Sequence, residues 1–447
     1  MSEIIRNKIL TLTGFLLVAF ATLYISFEVP RENFAALIGL YGLGFAGLLI
    51  SYQFAQTKDL LFLLIGGFLV RFLMINVTPE LSQDFYRFIW DGEMMKLGML
   101  PYVKTPDEII SSSPEIFQNA EFRALYHGMG ELSSSNYSNY PPLNELLFLI
   151  ASKLGATLSS KIMILRIFII LSDLVIVLVG LNLLKMKELP MKKMLLFAIN
   201  PFIILEFTGN LHFEGVMMCF FLVGIWLYLK DMKLLASFFL AFSILLKVFT
   251  LILLPFFIRK KEWKSGLTFI GMTLLFTLVF AYPFFMNSGL EGYQKANALY
   301  FQQFEFNAGI YYLIREIGWM FTGFNPIAYV GPLLAFVSLI LILIWYFRNW
   351  EAPILKGFEI WTIAFLIFLS LSTTIHPWYI GVLLILSLFT NYWFPLVWSF
   401  MAFLSYYFYS EEMSAGMYYT LVGVETACVL GLGIYEIKAK LLKDSNV

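Results

Sequence analysis

The sequence predicts an all-α, polytopic transmembrane helical bundle. Of its 447 residues, 60% are hydrophobic, 18% are aromatic and only 13% are charged, whereas soluble domains carry about 25% charged residues. The apolar residues also occur in blocks of about 17–22, which is the length that an α-helix needs to cross a hydrocarbon core of about 30 Å. A soluble protein is excluded because so few ionic groups could not cover the surface of a chain this long.

The apolar blocks predict about 12–14 membrane spans in a single integral-membrane domain over 1–447. The first block is too long for a removed signal peptide and lacks a small-residue cleavage site, so we interpret it as a membrane anchor. The blocks lie at 9–27, 34–54, 60–77, 143–158, 162–184, 194–208, 213–229, 234–258, 264–286, 327–347, 357–373, 378–390, 392–409 and 416–435.

The distribution of Lys and Arg predicts which loops are cytoplasmic, because basic residues concentrate on that side. Arg6 and Lys8 place the N-terminus inside, and two large loops, 78–140 and 287–326, fall outside. The lysines of 185–193 also indicate a cytoplasmic loop, whereas simple alternation puts that loop outside. The conflict disappears if 143–158 enters and leaves the membrane on one side, and the segment 234–258 must then break near Lys247.

The net charge and the positions of the two cysteines argue against nucleic-acid binding and against a disulfide, metal or redox site. The formal net charge of zero lacks the basic excess of nucleic-acid-binding proteins, so no nucleic-acid partner is expected. Cys219 and Cys428 both lie inside apolar segments, so we interpret them as small core residues rather than as a disulfide, metal or redox site.

The largest group of polar residues at membrane depth opens the first external loop, over 82–102. Asp84, Arg87 and Asp91 share one side of a predicted amphipathic helix that lies along the membrane surface and ends at Gly98. Asp84 and Asp91 are two helical turns apart, so both carboxylates can face one cleft. The alternative is a solvated polar face on an interfacial helix.

Two further segments combine polar groups with helix breaks. Tyr140 precedes two prolines that favour the start of a helix, and its ring suits a membrane interface. Asn210, His212 and Glu214 crowd a short break between two apolar blocks, which indicates a site, although a lone histidine is often a packing residue. His212 and Glu214 alone are weak evidence for a metal.

Two more candidates lie later in the chain. Lys247 sits in mid-span and requires an anionic partner, which a ligand phosphate or Asp173 would supply. His376, Trp378 and Tyr379 mark an external helix start. If the Asp84 loop, the His212 and Glu214 break, Lys247 and His376 surround one external cavity, that cavity would contain a carboxylate base, a cation for a phosphate and aromatic walls for a sugar. Such a cavity would transfer a sugar from a lipid phosphate to a hydroxyl.

In order along the chain, these motifs resemble the GT-C superfamily of integral-membrane glycosyltransferases. The motifs are the Asp84 loop ending in G-x-x-P-Y, the Y-P-P-L helix start, the E-x-T-G-N-x-x-x-E-G turn, the membrane lysine and H-P-W-Y. The closest similarity is to polyprenyl-phosphate-mannose-dependent mannosyltransferases, including the enzyme that adds the first mannose of the GPI anchor. The similarity covers roughly residues 60–400.

The resemblance implies an inverting transfer of a hexose, expected to be mannose, from a polyprenyl-phosphate donor to a lipid-linked or surface glycan. Asp84 matches the family's base, and we also assign Asp91 as catalytic. The matching or neighbouring binding residues are Arg87, Tyr140, Asn210, His212, Glu214, Lys247, His376, Trp378 and Tyr379. The family often carries Asp-x-Asp where this chain has Ser82, which weakens a metal-dependent mechanism, so no cofactor is expected. The expected location is a bacterial cell membrane, with membrane lipid as a further partner.

Two other classes share the same architecture. A transporter or lipid flippase is the main alternative, but such proteins carry paired broken helices in two similar halves, and the Asp84 and His212 segments have no second copy. A ligase or polymerase of lipid-linked glycans would carry a large external loop rich in Arg and His. The loop 287–326 has only Lys295 and Arg315 and no His.

Overall fold

The computed structural model describes residues 3–445, and it confirms the predicted all-α fold. Within these residues, strand-like pairing is limited to one isolated bridge between Phe306 and Thr374. Residues 1, 2, 446 and 447 of the predicted domain lie outside the described residues.

The described residues contain 22 α-helices, numbered in chain order. These are α1 (Glu3–Glu28), α2 (Phe34–Phe54), α3 (Leu60–Leu73), α4 (Asp84–Lys96), α5 (Pro106–Ser112), α6 (Ala120–Met129), α7 (Glu131–Ser134), α8 (Pro142–Leu154), α9 (Leu158–Met186), α10 (Leu195–Ala198), α11 (Pro201–Ile203), α12 (Glu214–Leu229), α13 (Lys233–Leu246), α14 (Thr250–Leu253), α15 (Trp263–Ala281), α16 (Gly289–Gln302), α17 (Gly309–Thr322), α18 (Ile327–Arg348), α19 (Gly357–Ser370), α20 (Ile380–Ser387), α21 (Phe394–Met401) and α22 (Ala415–Ser445).

Short helices of other types complete the secondary structure. The 3₁₀ helices are Thr57–Asp59, Pro114–Gln118, Met191–Met194, Leu254–Phe257, Lys260–Glu262, Tyr282–Phe285, Ile354–Lys356, Pro377–Tyr379 and Ala402–Tyr409, and one π-helix spans Ile204–Gly209.

Six of the described helices are long and apolar enough to cross a membrane, or seven if one bent pair counts as a single span. The pair consists of Pro201–Gly209 and Glu214–Leu229, bent by 107°. Fewer helices qualify than the sequence has apolar blocks, because several blocks are interrupted. The block 234–258 ends its first helix at Leu246, which confirms the predicted break near Lys247.

The 13 residues of α8 extend about 20 Å at 1.5 Å per residue, which is less than the hydrocarbon thickness. This length favours the predicted entry and exit of 143–158 on one side of the membrane. The predicted external loop 287–326 is largely helical, since it contains α16 and α17.

The chain forms two compact units. The first unit comprises Met1–Val70, Leu181–Glu206 and Phe301–Val447, and the second comprises Arg71–Gly180 and Phe207–Tyr300.

In the first unit, α1 and α2 pack closely through small residues. A Cβ atom at Gly14 would lie 2.6 Å from the carbonyl oxygen of Gly47, so glycine is required where the two backbones meet. Small residues at such contacts are typical of packed membrane helices. Further along α2, the ring of Tyr41 stacks on Phe403 at 3.7 Å, and its hydroxyl donates to the Ser399 carbonyl at 2.6 Å.

In the second unit, α4 crosses α8 at Gly92. A Cβ atom there would lie 2.3 Å from the Phe148 carbonyl oxygen, so a larger residue would separate the helices. One turn earlier, Phe88 stacks on Phe148 with the ring centroids 4.6 Å apart. This crossing positions the polar side of α4, on which the candidate base lies.

Candidate active site

Helix α4 begins with Asp84 and is buried over most of its length. Nine of its 13 residues are buried, including Arg87 and Asp91, so these two side chains do not form the solvated face that the sequence left open. The helix ends at Lys96, and Gly98 follows with φ of 85°, which confirms the predicted stop at the glycine. A positive φ is one that glycine adopts without steric cost.

Asp84 occupies the first helical position of α4 and is half-buried. Its backbone N–H donates to the Ser82 hydroxyl at 3.3 Å. The N-terminus of a helix stabilises negative charge, so this position favours the ionised carboxylate.

Arg87 and Asp91 form a buried ion pair on the next turns of α4. The Arg87 Nε donates to both carboxylate oxygens of Asp91, at 2.8 and 2.9 Å. The same guanidinium donates to the backbone carbonyls of Ser133 and Asn136. Arg87 therefore attaches the end of the 78–140 segment to α4, and Asp91 already has a cation as its partner.

A second buried carboxylate, which the sequence reasoning missed, lies beside this pair. The Ser138 hydroxyl donates to Glu145, at the start of α8. Glu145 is fully buried and lies close enough to Asp91 for the two carboxylates to interact electrostatically. Burial raises the pKa of Asp91, against the lowering effect of Arg87. The only sequence signal for Glu145 was an acidic residue in an apolar helix.

Three of the predicted binding residues lie together in the second unit. These three, Lys247, Glu214 and Tyr140, are called the Lys247 cluster together with Phe88. The Lys247 Nζ lies 3.1 Å from Glu214 Oε1 and 5.6 Å from the centroid of the Tyr140 ring. That ring meets Phe88 of α4 edge-on at 4.8 Å. Glu214 is fully buried, whereas 18% of the Lys247 side chain is exposed, so the lysine is the more accessible member of the pair.

Asp173, considered from the sequence as the partner of Lys247, pairs with a different cation. Its Oδ2 accepts from Arg71 Nε at 2.8 Å, and both side chains are fully buried. The interpretation of Asp173 as the partner of Lys247 is therefore wrong. Arg71 was missed because it follows a long apolar run without any local acidic partner.

The polar break before α12 is held by an arginine that the sequence reasoning also missed. The Arg166 guanidinium donates to the carbonyls of Thr208 and Gly209 at 2.7 and 3.0 Å and to that of Ile75 at 2.8 Å. Thr208 and Gly209 end the π-helix, whose wide turn often marks functional positions. An arginine inside the predicted span 162–184 was the available signal.

Within this break, Asn210 and His212 are 3% and 2% exposed. Leu211 between them has a φ of 62°, which is rare for a residue with a side chain and indicates that the surrounding contacts fix the turn. The chain therefore bends between the π-helix and α12 and directs Glu214 to Lys247.

The three late candidates lie in the first unit. The His376 ring stacks on Trp378 at 4.4 Å and on Phe306 at 5.2 Å, and it meets Tyr379 edge-on at 5.4 Å. Pro377–Tyr379 forms the 3₁₀ turn that precedes α20, so the predicted helix start is confirmed. The other eight candidates belong to the second unit.

The described residues contain no group of three or more His, Cys, Asp or Glu side chains placed to hold a metal ion. Cys219 is buried, as predicted, but Cys428 is exposed on α22, so its assignment to the core is wrong. An apolar helix face that meets lipid accepts a cysteine as readily as a core does.

The fold and its buried polar clusters define a polytopic helical membrane protein. The sequence profile of the MptA/B family, described as the N-terminal domain of α-(1→6)-mannopyranosyltransferases, matches residues 31–260, just over half of the chain. The chain belongs to this family and is therefore a mannosyltransferase of the GT-C type; the match does not single out the GPI-anchor enzymes. A comparison with characterised proteins gives no significant match.

Proposed function

We propose that this mannosyltransferase transfers mannose from a polyprenyl-phosphate donor to a glycan or lipid-linked acceptor on the external side of the membrane. The Lys247 cluster carries the proposal, because it combines a partly exposed lysine with an aromatic ring in a chain of apolar helices. A lipid-linked donor explains why such a group lies there. The description of the family as α-(1→6)-specific supports a 6-hydroxyl as the acceptor.

In the proposed reaction, the acceptor oxygen attacks the anomeric carbon while the bond from that carbon to the phosphate oxygen breaks. Asp84 takes the proton of the acceptor hydroxyl, and the polyprenyl phosphate leaves with the bonding electrons. Attack opposite the leaving group inverts the anomeric configuration. Lys247 stabilises the charge that develops on the departing phosphate, and no metal is required.

The binding residues divide between the sugar and the phosphate. The ammonium group of Lys247 has three donors, so it can bind a phosphate oxygen while Glu214 holds it in place. Asn210, His212, and the first unit's His376, Trp378 and Tyr379 are proposed to contact sugar or lipid. Arg87 and Asp91 are proposed to position Asp84, because their ion pair fixes the helix on which it lies.

The direct test is mannosyl transfer by the purified chain in proteoliposomes, with a radiolabelled polyprenyl-phosphate mannose as donor. Mass spectrometry of lipid-linked and surface glycans, with and without the chain, should reveal one product extended by a single hexose. Transfer from a nucleotide sugar alone would contradict the proposed donor. Movement of lipid-linked glycan across the bilayer without a new glycosidic bond would favour the flippase alternative.

Removing the Lys247 cation should weaken donor binding. We expect Lys247→Met to raise the KM for the donor roughly 10–100-fold, since a hydrogen bond to a charged group contributes about 1.5–3 kcal/mol, with little change in the KM for the acceptor. The double variant Lys247→Met/Glu214→Gln avoids an uncompensated buried carboxylate, and its donor KM should rise as well. Lys261→Met, an exposed lysine of the same unit, is the matched control. An unchanged donor KM in both cluster variants would contradict the phosphate role.

The external location of the site can be tested by cysteine labelling. The labels are placed at exposed positions of the second unit. After replacement of Cys428, we expect an impermeant maleimide added to intact cells to label Ser135→Cys but not Lys261→Cys. Membrane permeabilisation should make both reactive. The reverse pattern would place the 78–140 segment in the cytoplasm and contradict the external site.

A further inference from the structure

A buried carboxylate in the last long helix lies outside the residues assigned to sugar transfer. Glu425 belongs to α22, about 15 Å along the helix axis from its first residue, and it is 3% exposed. An ionisable side chain at such a depth is costly and usually serves a function.

Two neighbouring side chains donate hydrogen bonds to the Glu425 carboxylate and offset part of the cost of burying its charge. The Trp398 indole N–H donates to Oε1 at 2.7 Å, and the Asn307 amide donates to Oε1 and Oε2 at 3.1 and 3.2 Å. Hydrogen bonds donated to a carboxylate favour its ionised form. Among the described residues, no Lys, Arg or His forms an ion pair with this carboxylate.

The carboxylate lines a small pocket of the first unit that contains further oxygen atoms. The Asn307 Oδ1 and the Ser370 Oγ are buried and have no hydrogen-bond partner among the described residues, and both residues line the pocket with Glu425. Asn307 itself is only 2% exposed. The remaining wall is formed by Gly309, Ile310, Ile375, Thr426, Val429 and Leu430.

The backbone around the pocket is fixed in place. Asn307 has a φ of 50°, a conformation that asparagine tolerates better than most residues, and its N–H donates to the Tyr418 hydroxyl at 3.0 Å. A Cβ atom at Gly309 would lie 1.9 Å from Thr426 Oγ1, so α17 begins in close contact with α22. The oxygen atoms of the pocket are therefore held before any ligand arrives.

We propose that this pocket binds a monovalent metal cation such as Na⁺. Carboxylate, amide and hydroxyl oxygens are the ligands that hard cations prefer. A single carboxylate balances a single positive charge, whereas a divalent ion would leave excess charge at membrane depth. A bound water would provide hydrogen bonds for Asn307 Oδ1 and Ser370 Oγ, but it would not compensate the charge of Glu425. The proposal is independent of the donor, acceptor and base of the transfer reaction.

The test is equilibrium binding of radioactive sodium to the full-length chain in detergent, measured by scintillation proximity. We expect saturable binding to the wild type and a loss of affinity of roughly 10–100-fold or more in Glu425→Gln, because a contact with a charged group is removed. Glu412→Gln, an exposed acid of the same unit, should bind as the wild type does. Absence of saturable binding by the wild type, as expected for a site that holds only water, would overturn the proposal, as would equal binding by Glu425→Gln.

Thermal unfolding keeps the proposal testable if Glu425→Gln folds poorly. A cation that binds only the folded state raises the Tm of the wild type, by roughly 2–4 °C in sodium chloride relative to choline chloride. Ser370→Ala retains the carboxylate and removes one oxygen, so it should show a smaller sodium-dependent shift. Identical Tm values in both salts for the wild type would overturn the cation site.

Discussion

Replacement of Asp84 by Asn is expected to lower the rate of mannosyl transfer about 10²–10⁴-fold, the usual contribution of a general base, while the protein remains folded. Asn has the same shape and retains an oxygen acceptor, but it cannot take the proton of the acceptor hydroxyl. Because Asp84 is half-buried at the first position of α4, the substitution leaves the packed residues of the helix unchanged. Initial rates in proteoliposomes at saturating donor measure the effect.

Two matched variants separate catalysis from folding. Glu115→Gln changes an exposed acid of the same 78–140 segment and should retain full activity. Asp91→Asn removes the partner of the buried Arg87, so we expect a lower Tm, whereas Asp84→Asn should lower the Tm much less, because it removes a charge at the start of the helix and no buried ion pair. Wild-type turnover by folded Asp84→Asn would exclude Asp84 as the base.

Disruption of the Arg71–Asp173 pair is expected to have the largest effect on stability. Asp173→Asn should destabilise the protein by about 3–5 kcal/mol, because it leaves a fully buried guanidinium without its counter-charge. Arg71 lies in α3 and Asp173 in α9, 102 residues apart, so the loss also removes a tie between distant helices. Chemical or thermal unfolding in detergent measures the change.

The double variant Arg71→Met/Asp173→Leu tests the electrostatic origin of this effect. Apolar replacements of similar volume remove both charges, and buried pairs replaced in this way are often as stable as the original. We therefore expect much of the lost stability to return. Glu291→Gln breaks the exposed pair with Lys295 and should leave unfolding unchanged. A single Asp173→Asn variant as stable as the wild type would show that Arg71 finds another partner.

The helical organisation could be predicted because it depends on local composition. Apolar runs determine where helices form, and α2 occupies the predicted block 34–54 without any change of bounds. The break near Lys247 was predicted because both basic flanks of 234–258 must lie on the cytoplasmic side if 143–158 enters and leaves the membrane on one side. Gly98 ended α4 as expected because a glycine adopts positive φ at no steric cost.

The continuity of the other apolar blocks could not be predicted in the same way. The block 194–208 reads as one span, yet it contains α10, α11 and a π-helix. The carbonyls that this irregular backbone leaves without helical partners are satisfied by Arg166, a residue remote in sequence. Hydropathy records how apolar a segment is, but not whether distant donors are available to stabilise a break in it.

The sequence by itself determined the class of protein, the membrane helices and the residue types of the site, because these follow from hydrophobicity, charge and short motifs. Tertiary structure alone decided the partners that lie far apart in the chain: Lys247 with Glu214 rather than Asp173, and Asp173 with Arg71. Each buried charge must find a counter-charge or donor wherever packing brings one close. That choice depends on distances in space, which a pattern along one chain does not contain.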